Sequence, residues 1–474
     1  MTGTARIERP GDSERRRFLR LLARSGLGAG LPLGSLLGLV ACRERREPRP
    51  IGGYGPLAPV ADLATGETLL KLPEGFSYRS FGWTGSALAD GSPTPSAHDG
   101  MGVARAHGSR LTLVRNHEEV NTTGAFGAAH LHYDAAASGG AVAFEFDGVS
   151  GLASGFRSVL SGTMQNCAGG VTPWGSWLSC EEMVYDPGSG LDDQSKSRSG
   201  LARAHGFVFE VDPDGVAAPE RIAAMGAFKH EAAAVHAGSG IVYLTEDYPQ
   251  RAGFYRFLPR QPGQLSAGGH LQMMRIKGHD QLRSGIKLGR RMDVRWVDIA
   301  EPERLRGADG RVGTGVQEQG FAAGASAFTR LEGCFAQDDS IFFTSTDGGD
   351  LGHGQVFVYF PLDEQLVLLY ETRSLAALDY PDNLCVSPRG GLVLCEDNLS
   401  GRPQRLVGMS ATGDSFAFAE NNVVLKRADG SRIDYRGEEW CGACFSPDGR
   451  WLFANVYHPG FTVAITGPWG EGLI

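Results

Sequence analysis

The residues of this 474-residue chain able to do chemistry gather most densely in Asn166-Cys167-Ala168-Gly169-Gly170-Val171-Thr172-Pro173-Trp174-Gly175-Ser176-Trp177-Leu178-Ser179-Cys180-Glu181-Glu182. The stretch opens on a soft ligand, Cys167, crosses a glycine turn and follows an apolar segment to two carboxylates. The same plan recurs along the chain. Apolar segments end on Glu118, Glu182, Glu246, Asp347 and Asp397, and Tyr457-His458 closes a divergent sixth. A second polar group precedes each segment: Asp99, Cys167, Glu231, Glu332, Asn383, and in the sixth a residue near Cys441. Glu118, Glu182 and Glu246 stand 64 residues apart, and Cys167–Glu182, Glu231–Glu246 and Glu332–Asp347 are each 15 apart.

Carboxylates drawn to one place must hold protons or cations. Glu, Asp and Asn oxygens suit hard cations such as Ca²⁺, Mg²⁺ or Fe³⁺, and a thiolate among them points to a transition metal. Taken singly, each acid also fits a turn residue solvating a loop, and Cys167 also fits a disulfide of an oxidising compartment. Arg330 stands two residues before Glu332. Positions i and i+2 of a strand share a face, so its guanidinium is expected in the cluster. There it either pairs structurally with the acids or awaits an anion; phosphate suits both an arginine fork and metal ions.

A strand–turn–strand unit returns the chain to its start and leaves both polar groups at one edge. Six such units predict an all-β, six-bladed β-propeller, which closes radially without an open sheet edge. Leu111–Val114, Val142–Phe146 and Phe207–Val211 read as strands, and Asp212–Gly215 and Ser446–Gly449 as hairpin turns. The 68 glycines, about twice the usual share, favour tight turns, and no long helix is expected. Arg275–Arg295, rich in Arg and Lys, reads as an insertion, either a solvated excursion or a substrate lid.

Residues 14–20, Glu-Arg-Arg-Arg-Phe-Leu-Arg, read as a twin-arginine export motif, a route that carries folded, often cofactor-loaded cargo. The apolar run Ser25–Ala41 has 17 residues, below the roughly 20 of a spanning helix. It ends in Leu39-Val40-Ala41-Cys42, which resembles a lipoprotein cleavage box and also fits an ordinary signal with a chance cysteine. The expected organisation is a signal peptide over 1–41, lipidation at Cys42, a tether over 42–65 and a catalytic propeller over 66–474. The mature protein is then an exported periplasmic or cell-surface lipoprotein, a monomer that meets the membrane only through its anchor. A formal charge of −9 argues against a nucleic-acid partner. Of 8 cysteines, all but Cys42 make an odd set, leaving at least one thiol unpaired or on a metal.

Other motifs fail. In His230–His236 the second histidine comes two positions too late for a zinc-protease helix. Cys444 and Arg450 flank a turn sequence rather than a phosphate loop, no Gly-x-Ser-x-Gly elbow is present, and Asp347-Gly-Gly-Asp350 lacks the twelve-residue calcium pattern. Assembled, the residues resemble the PhoX-type alkaline phosphatases over about residues 65–460. The matching segments are Asn116-His117-Glu118, Asn166–Glu182, Lys229-His230-Glu231, Arg330-Leu331-Glu332-Gly333, Pro381-Asp382-Asn383 and Cys395-Glu396-Asp397, with Arg295–Ile299 and the export motif alongside.

The resemblance implies a six-bladed phosphatase acting on small-molecule phosphate monoesters, with some diesterase activity. It implies a pair of Fe³⁺ ions bridged by the Cys167 thiolate and held by carboxylates including Glu231 and Glu332. Two or three Ca²⁺ ions would lie beside them and draw on Glu182, Glu246 and Asp397, with Glu118, Asp347 and Asn383 completing the ligand ring. Arg330 would hold the phosphate and, with Cys167, carry the chemistry. The competing readings are a non-enzymatic lipoprotein propeller with structural calcium, and a propeller phosphodiesterase or lactonase. Cys167 and Arg330 weigh toward the phosphatase, because structural calcium needs neither.

Overall fold

The computed structural model describes residues 52–470 and 473–474; the signal-peptide and Cys42 expectations lie outside the described residues. The repeats seen in the sequence are antiparallel hairpins. They are β1 (His98–His107) with β2 (Arg110–His117), β3 (Asn166–Val171) with β4 (Trp177–Glu181), and β5 (His230–Val235) with β6 (Val242–Glu246). β7 (Leu331–Gln337) follows with β8 (Ser340–Ser345), β9 (Pro381–Val386) with β10 (Leu392–Glu396), and β11 (Trp440–Phe445) with β12 (Leu452–Val456). β1 packs on β3, β3 on β5, β5 on β7, β7 on β9 and β9 on β11, and β11 returns to β1. That closed circuit around an axis makes the fold a β-propeller.

The circuit is sealed by strands from opposite ends of the chain. Ser77–Phe81 pairs with Phe461–Thr466 in the sheet of β11 and β12. Leu70–Leu72 pairs with Ser415–Asn421 at the edge of the preceding sheet and carries Ala58–Val60 on its outer side. Part of the stretch expected as tether is therefore sheet, and Tyr54 is anchored too, its hydroxyl donating to the Ile474 carbonyl at 2.9 Å. Arg275–Arg295 is likewise built in. Gly269–Ile276 pairs with Arg291–Asp298, whose start pairs with Gln365–Glu371, joining two neighbouring sheets into one of nine strands. Residues 277–290 between the two strands are a mostly exposed loop pinned by buried Leu282 and Ile286, in keeping with a solvated excursion.

The sheets are held face to face by large apolar side chains at alternate positions. Phe254 stacks on Phe343 at 4.3 Å and Phe343 on Phe357 at 5.3 Å, with Tyr243 and Tyr359 in the same cluster. Among the described residues the α-helix is limited to Gly315–Ala322, and the seven described cysteines are buried and free of disulfides.

Acids at strand ends supply the polar ties between sheets. Glu181 accepts from the Met164 and Gly206 amides at 2.9 and 2.8 Å and meets His205 Nδ1 at 2.6 Å. Asp134 stands 3.7 Å from the other ring nitrogen. Burial alone would lower the His205 pKa, but the two carboxylates raise it to about 9. With the folded value above the unfolded 6.5, the histidinium's stabilisation is complete below about pH 6.5 and lost as pH rises through about 9. It amounts to about 3 kcal/mol. Urea unfolding of wild type and His205→Asn across this range is expected to show a gap that narrows toward pH 10; a pH-independent gap would refute the linkage.

Candidate metal centre

One backbone irregularity, repeated, builds the site. Each inner strand carries a bulge: His98/Met101, Asn166/Gly169, His230/Ala233, Leu331/Cys334, Pro381/Leu384 and Cys441/Cys444. A bulge re-aims the residues within it, and in the first five hairpins the residue after the first pair turns to the axis. Those residues are Asp99, Cys167, Glu231, Glu332 and Asp382. A second set follows the last residue of each partner strand: Glu118, Glu182, Asp247 and Asp397, with Thr346 and Tyr457 in the same place.

A third set precedes the inner strands: Ala97, Gln165, Lys229, Arg330, Tyr380 and Glu439. Their carbonyls accept from the amides of Glu118, Glu182, Asp247, Thr346, Asp397 and Tyr457 at 2.8–3.2 Å. Four of them have left-handed backbone, at φ 48° for Ala97 and Gln165, 37° for Arg330 and 53° for Tyr380. Each costs about 1 kcal/mol, and the repeated hydrogen bond holds them there.

The first set, the acids of the second, and Arg330 and Glu439 of the third line a polar cavity of about 190 Å³. Three groups in it have one ligand atom per residue within 4.8 Å of one another: Cys167–Glu182–Glu231, Asp99–Glu118–Glu439 and Asp382–Asp397–Glu439. Cys167 Sγ lies 3.1 Å from Glu231 Oε2. Both Glu332 carboxylate oxygens are buried without a hydrogen-bond donor, although the Arg330 guanidinium abuts one of them. Cations sit at one side: Lys229 Nζ is 2.8 Å from Glu182 Oε1, and Arg330 Nε is 3.3 Å from Asp247 Oδ1.

Burial, reinforced by mutual repulsion, dominates the electrostatics. It holds Asp99, Glu231, Glu332, Asp382 and Glu439 well above the carboxylate range, and the Cys167 thiol well above the usual thiol range. Glu118 rises to about 8, through burial and Glu182. Asp247 rises to about 6, burial outweighing Lys229. Glu182 alone falls: burial opposes its charge, but Lys229 overcomes that. Such a cluster shares out protons unless cations take their place.

A sequence profile described as "Alkaline phosphatase PhoX" matches residues 52–150 and 149–460. The chain belongs to the PhoX alkaline phosphatase family. Among solved structures it is similar to Pseudomonas fluorescens PhoX in complex with vanadate, a transition state analogue. The TM-score is 0.64 and the identity 18%, covering 88% of this chain and 97% of that one. A gluconolactonase from Xanthomonas campestris, XC5397, aligns with a TM-score of 0.34 and 11% identity, over 82% and 99% of the two chains. No functionally curated protein matches. Membership in the PhoX family makes metal-dependent hydrolysis of phosphate esters the activity of this chain.

The structure brings together Glu118, Cys167, Glu182, Glu231, Arg330, Glu332 and Asp397 as the sequence led us to expect. Three expected ligands lie elsewhere. Glu246 turns into its sheet, accepting from the Gly253 amide at 2.8 Å and the Tyr255 hydroxyl at 2.9 Å; Asp247 takes its place. The turn between β5 and β6 holds one residue more than that between β3 and β4, and a one-residue shift flips a strand residue to the other face. Equal spacing of 15 therefore chose the wrong acid. Asp347 accepts from the Thr329 hydroxyl at 2.6 Å, because Ser345 pairs with Leu331 and leaves Thr346 at the ligand position. Asn383 lines the apolar part of the channel, and its neighbour Asp382 faces the cluster.

Asp99 is confirmed at the axis, whereas Glu439, Lys229 and Gln165 were missed as members. Glu439 belongs to the third set, and the bulge of β11 begins one residue later than in the other hairpins, so this hairpin brings no acid to the axis from within its inner strand. Arg330 reaches Glu332 from a left-handed residue outside the strand, not through the expected shared strand face. Turnover and stability can separate the two neighbouring acids. Asp247→Asn is expected to lower kcat/KM, because Lys229 and Arg330 lose the carboxylate that lies between them, whereas Glu246→Gln keeps wild-type turnover and metal content and loses only stability, about 1–2 kcal/mol for a disturbed buried hydrogen-bond acceptor. The reverse pattern would return Glu246 to the site.

Proposed function

We propose that this chain hydrolyses phosphate monoesters at an iron–calcium cluster in the axial cavity of a six-bladed propeller. Six bladed units are supported by the six bulged hairpins and the closed circuit of inner strands. The observation that carries the metal assignment is the donor chemistry. Cys167, Glu182 and Glu231 form a mixed sulfur–oxygen group, while the two groups sharing Glu439 are oxygen only. Thiolate suits iron and not calcium, and all-oxygen groups suit calcium. The second Glu332 oxygen, buried without a partner while the first meets Arg330, fits a further ligand on the iron side. On this reading Cys167, Glu231 and Glu332 hold iron, and Asp99, Glu118, Asp382, Asp397 and Glu439 hold calcium, with Glu182 between the two.

When bound, such ions neutralise the phosphoryl oxygens and favour an anionic oxygen nucleophile. The chain's own residues supply position and charge. Arg330, aligned by Asp247 and Glu332, offers the guanidinium fork that meets phosphate oxygens and stabilises charge in the transition state. Export by the twin-arginine route and lipidation at Cys42 belong to the same reading, supported by the sequence of residues 14–42, as does a monomer acting on small-molecule esters.

Elemental analysis with a p-nitrophenyl phosphate assay on one sample tests the proposal. Iron and calcium are expected together with turnover, and Cys167→Ala is expected to lose iron and activity; calcium alone without turnover would favour a binding propeller. Arg330→Ala is expected to keep its metals and lose at least about tenfold in kcat/KM, the removal of one charge-stabilising donor. Wild-type rates in that variant would reject the role.

A further inference from the structure

The third set of residues lies at a single structural position of the repeat, so its side-chain types can be compared directly. Gln165, Lys229 and Arg330 are consecutive in that set and donate; Ala97, Tyr380 and Glu439 contribute no cation. Each donor spans two neighbouring units. Gln165 Nε2 reaches Glu118 Oε1 at 3.0 Å and Glu182 Oε2 at 2.7 Å. Lys229 Nζ reaches Glu182 at 2.8 Å and lies 3.9 Å from Asp247 Oδ2. Arg330 spans Asp247 and Glu332. The mouth is therefore polarised, with donors along one arc and the oxygen-only groups of Glu439 on the other.

Lys229 and Arg330 flank opposite oxygens of one carboxylate, Asp247. Asp247 thus holds the two cations close together, with Arg330 lining the cavity and Lys229 directly behind it. Among the described residues only the Glu182 carboxylate stands within hydrogen-bonding distance of the Lys229 ammonium, which has three donors. Glu182 also belongs to the thiolate group, so engaging it there leaves Lys229 available to an outside anion.

Resting on the phosphatase reading, we propose that Lys229 is a second phosphate-binding cation of this site and favours monoester dianions over diester monoanions. Two cations on one arc discriminate by charge. A monoester with its second pKa near 6 carries close to two charges at neutral pH, and a diester carries one. Gln165 acts as a positioning residue that holds Glu182 within the arc.

The test uses the metal-loaded protein, Lys229→Met and Lys229→Gln. It combines calorimetric binding of inorganic phosphate, metal content, and kcat/KM for p-nitrophenyl phosphate and bis-p-nitrophenyl phosphate. Both variants are expected to keep their metals and to bind phosphate at least about tenfold more weakly, the loss of one charged donor. The monoester-to-diester ratio falls by a similar factor, and Lys229→Arg recovers most of both. Phosphate affinity and ester preference within twofold of wild type in either folded variant would overturn the proposal and leave Lys229 a counter-ion of Glu182. A wild-type protein that neither binds phosphate nor turns over either ester would instead overturn the phosphatase reading itself. If Lys229→Met loses metal, the Gln variant, which keeps a donor toward Glu182, decides between the two roles.

Discussion

Acidic side chains from every part of the circuit are forced onto one axis, and the structure depends on how that repulsion is met. Nothing in a β-propeller requires a charged axis; small and apolar residues, from Gly100 and Ala168 to Ala443, line an open cavity of about 470 Å³ along another part of this channel. The carboxylates are confined to one end, where burial raises nearly all their pKa values. A cup of this kind is unfavourable by itself and becomes favourable when cations enter. Stability and function are thus linked through one electrostatic term, since the ions that perform the chemistry also relieve the strain of assembling their ligands.

Such a cup needs a frame that resists outward relaxation. Ring closure supplies it: the pairing of Ser77–Phe81 with Phe461–Thr466 joins the two ends of the chain, so no unit can swing out alone. The acids that face away from the axis add to the frame. Glu181, Glu246 and Glu396 precede Glu182, Asp247 and Asp397 directly and bond to backbone amides and to His205, Tyr255 or Arg405, Glu246 through one oxygen only. Paired acids at one strand end therefore divide between two tasks, one tying sheets together and one facing the metals.

Left-handed residues before the inner strands show where local strain is accepted. Ala97, Gln165, Arg330 and Tyr380 hold conformations that favour glycine, yet glycine at Arg330 would forfeit the guanidinium. The carbonyl of each is bound by the amide of the residue it stands beside, Glu118, Glu182, Thr346 or Asp397. Backbone strain and side-chain placement are thereby coupled at the mouth, the usual location for such costs.

Strand character, the recurring hairpin and the residue types of the cluster are readable from the chain because they follow from local pattern. Alternating apolar segments ending in acids at near-constant intervals admit few architectures other than a closed ring of sheets. The donor arithmetic of Cys167 with Glu231 and Glu332 needs only their chemistry. Which of two adjacent acids faces the axis was decided elsewhere. A turn longer by one residue exchanged Glu246 for Asp247, and a bulge aimed Asp382 inward while Asn383 lined the apolar channel. The alternating faces of a strand make that choice hinge on single residues, and turn lengths and bulges are set by packing around the whole ring. Composition and spacing by themselves determined a propeller with acids gathered at its axis; tertiary structure alone decided which acids face that axis and how they group, because only the closed ring fixes the register of each hairpin against it.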